Sequence, residues 1–204
     1  MTIERGQPWG TVAAAPPNLV TSSGDAELAA LVGACRSEGR PVPAVFLTGG
    51  DLLRSLGGTG DAARLGGQMA ILPVDVVRAV SGDQVRWFVA HMVARRTWWR
   101  GEVTAAMNAQ YVGTWDVAPR SHPNDGRVDV VRAAPAMSVG QRRQARRRLV
   151  HGGHVPHPQI DVRSSATISL QFQRRLRVWL DGELWLTTDS LDLTVEPDAI
   201  TVCI

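Results

Sequence analysis

The sequence contains no lysine: all 22 basic residues are arginine. A Schiff-base lysine, or a lysine clamped onto phosphate, is therefore excluded. Cysteine is almost as scarce. Cys35 and Cys203 are single, distant and set in apolar surroundings, which predicts two buried reduced thiols and a cytoplasmic setting rather than a disulfide framework. No apolar run approaches the roughly 18 residues needed to span a bilayer. The opening MTIERGQPWG lacks the charged-then-apolar order of a signal peptide.

What is present describes a folded chain. Of 204 residues, 44% are apolar and 20% charged, enough to bury a core and too apolar for disorder. The net charge of +3 is small, but Arg142, Arg143, Arg146, Arg147 and Arg148 gather five charges in one segment. That concentration suggests an anionic partner surface, membrane more readily than nucleic acid, because no base-stacking aromatics are interleaved with the arginines. The plainer reading is a solvated helix face. His151, His154 and His157 are spaced by three, yet the Gly-Gly and Pro between them break any helical face and argue against a zinc site. Trp98-Trp99-Arg100 reads as core plus rim, or, if exposed, as an anchor at a membrane interface or partner groove.

Residues 1–20 hold three prolines and two glycines and read as an extended lead-in. ELAALVGACRSEG (27–39) has helical periodicity, with Ser23 or Asp25 as N-cap and Gly39 as the stop. VPAVFLTGG is a buried strand opening into a Gly-rich turn, and DLLRSLGG a short helix. From residue 70 the texture becomes that of strands. MAILPVDVVRAVSGDQVRWFVAHMV predicts a hairpin around Ser-Gly-Asp, and RLRVWLDGELWLT another around Asp181-Gly182. EVTAAMNAQYVG, RVDVVRAA and ATISLQF are further strands, and LDLTVEPDAITVCI supplies two around Glu196-Pro197-Asp198. MSVGQRRQARRRLV is the one helix among them. The expected fold is α+β: a small α/β segment over 1–69, then an antiparallel β-sandwich over 70–204.

The order of motifs resembles the diacylglycerol kinase and sphingosine kinase family of lipid kinases, bacterial branch. AAMNAQYVGTWDVAPRSHPNDGRVDVV is similar to its Asn-containing strand, Gly-rich turn, Ala-Pro and Asp-Asp-Gly segment. RRRLVHGGHVPHPQIDVRSSATISL resembles its basic helix and Gly-His turn, and RVWLDGELW its Asp-Gly-Glu hairpin. The resemblance runs from about residue 17 to the end. It implies a nucleotide-binding α/β half, a C-terminal β-sandwich and an active site between them that uses ATP and Mg2+ to phosphorylate a diacylglycerol-like lipid.

Residue by residue, the resemblance makes Glu183 the general base and Asp181 its neighbour; the spacing alone reads Asp-Gly as a hairpin turn. Gly24 and Asp25 match the phosphate loop, with Asp25 the nucleotide and magnesium acid or, without the resemblance, a helix cap. Thr48, Gly49 and Asp51, followed by Arg54, match a second nucleotide motif. Asn124, Asp125 and Asp129, in SHPNDGRVDVV, occupy the turn where the family holds a structural magnesium. Here Asn124 replaces an acid, and losing a carboxylate weakens a hard-cation site.

The nucleotide half departs from the pattern. Ser23, Ala26 and Glu27 replace the loop's outer glycines and threonine, and Glu27 puts an anion beside the expected triphosphate. Leu47 and Gly50 depart as well, the stretch ahead of Asp25 is short for the family's strand–helix–strand units, and a long insert is missing between Val89 and Thr104. The two readings are a lipid kinase and a lipid-kinase-like binding or scaffold module without catalysis. Either is expected at a lipid or anionic membrane surface, peripheral at the inner face, with a second copy or a partner chain supplying the missing half.

Overall fold

Alternation of apolar and polar side chains sets most of this fold, and the computed structural model describes it over residues 9–204. The first part of the expected lead-in, residues 1–8, lies outside the described residues. In chain order the elements are β1 (Thr11–Ala14), β2 (Val20–Ser22), α1 (Asp25–Ser37), β3 (Val45–Leu47), α2 (Asp51–Ser55) and a 3-10 turn (Ala62–Gly66). Then follow β4 (Gln68–Ser81), β5 (Gln84–Phe88), β6 (His91–Arg95), β7 (Val103–Met107), β8 (Tyr111–Val112), β9 (Trp115–Asp116) and β10 (Val128–Ala133). Helix α3 (Val139–Leu149) precedes β11 (Ile160–Ser165), β12 (Thr167–Leu180) and β13 (Glu183–Cys203).

Among the described residues eleven strands form one sheet in the order β1-β4-β13-β12-β6-β7-β10-β11, with β5 beside β4 and β2 beside β3. Its pairings are antiparallel except for β2–β3 and β3–β13. Val77 and Phe88 share one core with Met92, Val130, Leu170, Val178 and Leu191. Strands far apart in the sheet order thus meet face to face, so the sheet folds over into a sandwich. A second core places Leu28 and Val32 of α1 and Leu52 of α2 against Val74, Val76 and Val202. On the outer face of β6, β7 and β10, Val93, Ala105 and Val131 pack with Trp98, Trp115 and Leu149. Both cysteines are free and buried.

Three expectations need correction. The C-terminal stretch is one strand rather than two around a turn, with a bulge between Glu196 and Ile200. Pro197 offers no N–H, but β4 runs beside both halves and Asp75 accepts from the Asp198 N–H at 2.9 Å, so the chain bulges and continues. Helix α1 is capped by Gly24 with no side-chain bond, rather than by Ser23 or Asp25. Those two side chains are engaged elsewhere, as the site shows. Finally, the arginine segment is not uniformly solvated. Ser138 and Gln141 close a capping box at the start of α3, and Arg142 is buried, donating to the carbonyls of Trp98, Gly101, Ala134 and Met137. One arginine fastens the helix; its neighbours face outward.

Candidate functional site

The Asp-Gly-Glu hairpin is built from positive φ angles: Asp181 at 47° and Gly182 at 87° form the tight turn that pairs Leu180 with Glu183. Asp181 is buried, and its carboxylate accepts from the N–H groups of Val89, Ala90 and His91 at 2.8, 3.0 and 2.9 Å. Its own N–H donates to the His91 carbonyl at 2.8 Å. This clamp explains why β5 and β6 are separate strands: residues 89 and 90 give their donors to a side chain instead of a ladder. It also fixes the position of the His91 ring.

The opposite wall comes from α1 and α2. Asp25 accepts from the N–H of Asp51 at 2.5 Å and of Leu52 at 3.1 Å. A side chain at Gly50 (φ 105°) would place its Cβ 2.3 Å from Asp25 Oδ1, so this contact requires glycine. Gly49 approaches the Ser23 carbonyl closely, and the Thr48 hydroxyl donates to the Ser22 carbonyl at 3.3 Å. The Asp51 carboxylate accepts from the Gly113 N–H at 2.9 Å. Arg54 donates to the Gly113 carbonyl and lies 4.1 Å over the Tyr111 ring. The β8–β9 hairpin is thereby pinned to α2.

Between these walls lies an open cleft of about 720 Å³ lined by Gly24, Asp25, Glu27, Asp51, His91, Asp181 and Glu183 among others. Sequence stretches far apart therefore meet: the expected base, its neighbour and the phosphate-loop acid border one space, with Thr48 and Gly49 in the turn behind. Burial pushes the Asp25 carboxyl up to about 7, with Asp181 and Asp51 adding to it against the two N–H bonds. His91, absent from the sequence expectations, stands 3.8 Å from Asp51 and 3.7 Å from Asp181. Burial disfavours its charged ring, but the carboxylates of Asp181, Asp51 and Asp25 outweigh it and raise its pKa. Nothing local in RWFVAHMV announces this histidine.

The donors a triphosphate would need are already taken. Glu27 accepts from the Ser23 N–H and hydroxyl, both at 2.7 Å, which holds its carboxyl below the usual range. Asp25 occupies the first N–H groups of α2, and Arg54 is committed to Gly113. As arranged, this wall does not fit the phosphates of ATP.

The corner at 121–131 lies elsewhere. Asn124 is buried, donating to Asp198 at 2.8 Å and to Asp75 at 3.4 Å, while its Oδ1 has no partner among the described residues. Asp75, also missed in the sequence, accepts from the Gly126 N–H at 2.7 Å and ties this corner to β4. Asp125 accepts from the Arg127 N–H. Burial pushes its carboxyl up to about 6, with Asp129 and Asp75 contributing repulsion. The Asn124 amide nitrogen, rather than its oxygen, faces the two carboxylates, a neutral donor where a hard cation would take a further acid oxygen. Among the described residues, no three His, Cys, Asp or Glu side chains converge as a ready metal group.

Comparison with known proteins agrees with this architecture. The family described as YegS C-terminal NAD kinase beta sandwich-like domain matches residues 60–204. The chain is similar to the crystal structure of "a putative diacylglycerol kinase from Bacillus anthracis str. Sterne", with a TM-score of 0.66 and 16% identity over 90% of this chain and 76% of that one. A second structure from that organism, titled a diacylglycerol kinase, aligns with a TM-score of 0.56 and 15% identity over 79% of this chain and 66% of that one. Identities this low speak to the fold. No curated protein matches the sequence.

Proposed function

We propose a lipid-recognising role, and its premise is that the chain belongs to the family of the YegS C-terminal NAD kinase beta sandwich-like domain. The ligand is a diacylglycerol-like lipid, whose apolar part enters a pocket beneath α3 and whose hydroxyl end reaches Glu183. One observation carries this reading: Val112 lines both the acidic cleft and an apolar pocket of about 110 Å³ walled by Trp98, Trp99, Trp115 and Leu149. An apolar hollow and a polar cleft that share the wall residue Val112 suit the two ends of an amphipathic molecule. His154 borders the hollow and is buried, with its ring against the Val117 backbone. Burial lowers its pKa against the Val117 backbone and the Asp116 carboxylate, so the ring at the edge of the hollow is neutral.

A second reading adds phosphoryl transfer, and it is favoured by Glu183 itself. Its carboxylate borders the cleft without an internal partner among the described residues, where it would accept the proton of a bound hydroxyl. The nucleotide would supply the phosphoryl group when bound. Against this stands the N–H inventory of the α1–α2 wall. Magnesium would fall to Asn124, Asp125 and Asp129.

Quenching of tryptophan fluorescence by a nitroxide-labelled diacylglycerol tests the first reading. Ala145→Leu, on α3 at the pocket wall, should abolish quenching; unchanged quenching would reject the pocket. Radiolabelled phosphate transfer into mixed micelles tests the second. If transfer occurs, Glu183→Gln should remove it while leaving thermal melting unchanged, and transfer that survives the substitution would discard Glu183 as the base.

A further inference from the structure

The loop between β6 and β7 has a second side. Trp98 and Trp99 face the apolar pocket, whereas Arg96 and Arg100 border a separate concavity of about 480 Å³ with Arg174 and Arg177 of β12. This site is shaped by the backbone. The register of β12 shifts between Gln171 and Leu176, and that irregularity presents Arg174 to the cavity rather than to the ladder. From behind, Arg142 holds the loop by the carbonyls of Trp98 and Gly101.

The charge here is unbalanced. Among the described residues Glu102 is the one acid in the lining, and it is already engaged by Arg132 at 2.7 Å and by the Thr104 hydroxyl at 3.1 Å. Among the described residues, none of Arg96, Arg100, Arg174 and Arg177 has a carboxylate partner. Crowding of cations is felt nearby: burial, then repulsion from Arg177, lowers the pKa of Arg95. Four guanidinium groups border one hollow, Arg177 among them also donating to the Arg96 carbonyl at 3.4 Å, and planar N–H forks match phosphate oxygens. Trp99, on the same loop, is 37% exposed, with Arg146 5.4 Å over its ring. An amphipathic aromatic beside a phosphate-sized basic hollow is the pattern of a membrane interface.

We propose that Arg96, Arg100, Arg174 and Arg177 bind the phosphate of an anionic phospholipid headgroup and dock the protein on a membrane with Trp99 at the interface. The docking needs neither phosphoryl transfer nor a lipid in the apolar pocket. Flotation with vesicles free of diacylglycerol therefore separates its failure from failure of the lipid-recognising role. The protein should float with phosphatidylcholine vesicles containing phosphatidylglycerol and remain behind with phosphatidylcholine alone. Arg96→Gln/Arg174→Gln should weaken this binding roughly thirtyfold, at about one surface charge's worth for each arginine, with melting unchanged. Arg78→Gln/Arg86→Gln, of equal charge change on β4 and β5, should bind as wild type. Should the first double variant melt low, Arg100→Gln on the loop replaces it, with a smaller loss expected. Equal weakening in both double variants would reduce the effect to overall charge and overturn the pocket. Equal flotation with both vesicles, or full displacement by inorganic phosphate at constant ionic strength, would overturn the lipid headgroup.

Discussion

On the α1–α2 wall of the cleft, the N–H groups of Ser23, Asp51 and Leu52 end on the chain's own carboxylates, Glu27 and Asp25. On the sandwich side, Glu183 faces the cleft uncommitted among the described residues, and the hollow under α3 is lined mostly by apolar side chains. A phosphate cradle works by leaving donors unsatisfied until the ligand arrives. Here self-satisfaction has closed one wall, while the other still has room and polar groups to spend. The sequence changes at 23–27 are thus more than a weakened motif, because Glu27 acts as a built-in substitute for the missing anion.

The largest expected effect belongs to the clamp that holds both walls in register. Asp181→Ala would orphan three buried N–H groups, at 89, 90 and 91. Each charge-assisted bond is worth about 1.5–3 kcal/mol, though losses within one network are not additive. Urea denaturation should show a loss of about 3–5 kcal/mol. A loss below about 1 kcal/mol would mean that water replaces the carboxylate easily and that the turn is not what positions His91.

The second effect is a pH dependence from the closed wall. The Asp25 carboxyl titrates at 3.8 ordinarily and is pushed up to about 7 in the fold. The folded state therefore holds the proton through that window, and this group's contribution to stability falls as pH rises from about 4 to 7. Asp25→Asn keeps an acceptor for α2 and removes the charge. It should flatten the fall and raise stability at pH 8 by roughly 2–4 kcal/mol, with little change at pH 4. A parallel offset at both pH values would show that the carboxyl is not titrating there.

Much of this layout was readable in advance, for local reasons. Alternating side chains and Gly-Asp or Asp-Gly pairs marked the hairpins at 82–83 and 181–182, because two-residue turns with positive φ need those residues. The meeting of Asp25, Asp51 and Glu183 came from motif order rather than from periodicity. What escaped was long-range. Asp75 and His91 look like ordinary strand residues, and only partners far along the chain give them work. Arg142 was indistinguishable from the other arginines of α3 until the carbonyls of a distant loop surrounded it. The unbroken course of β13 depended on β4 lying alongside, which composition around Pro197 could not announce.

The smallest expected effect on folding is the one that bears most directly on the contrast between the walls. Glu27 is exposed, and its bonds to Ser23 close a loop that no other element leans on. Glu27→Ala should change stability by no more than about 0.5 kcal/mol, as for most surface substitutions. Its effect on ligands should be larger. The substitution frees the Ser23 N–H and hydroxyl and removes a negative charge from the cleft, so a phosphate oxygen gains a donor and loses a repulsion. One charge-assisted bond corresponds to roughly tenfold or more in affinity. Titration calorimetry with a non-hydrolysable ATP analogue and magnesium should then show weak or undetectable binding by wild type and measurable binding by the variant. If both fail to bind, Glu27 is not the stopper, and the Asp25 grip on α2 is what keeps the wall closed. If wild type binds at micromolar concentration, the carboxylate releases Ser23 readily, and the two walls differ less than their hydrogen bonds imply.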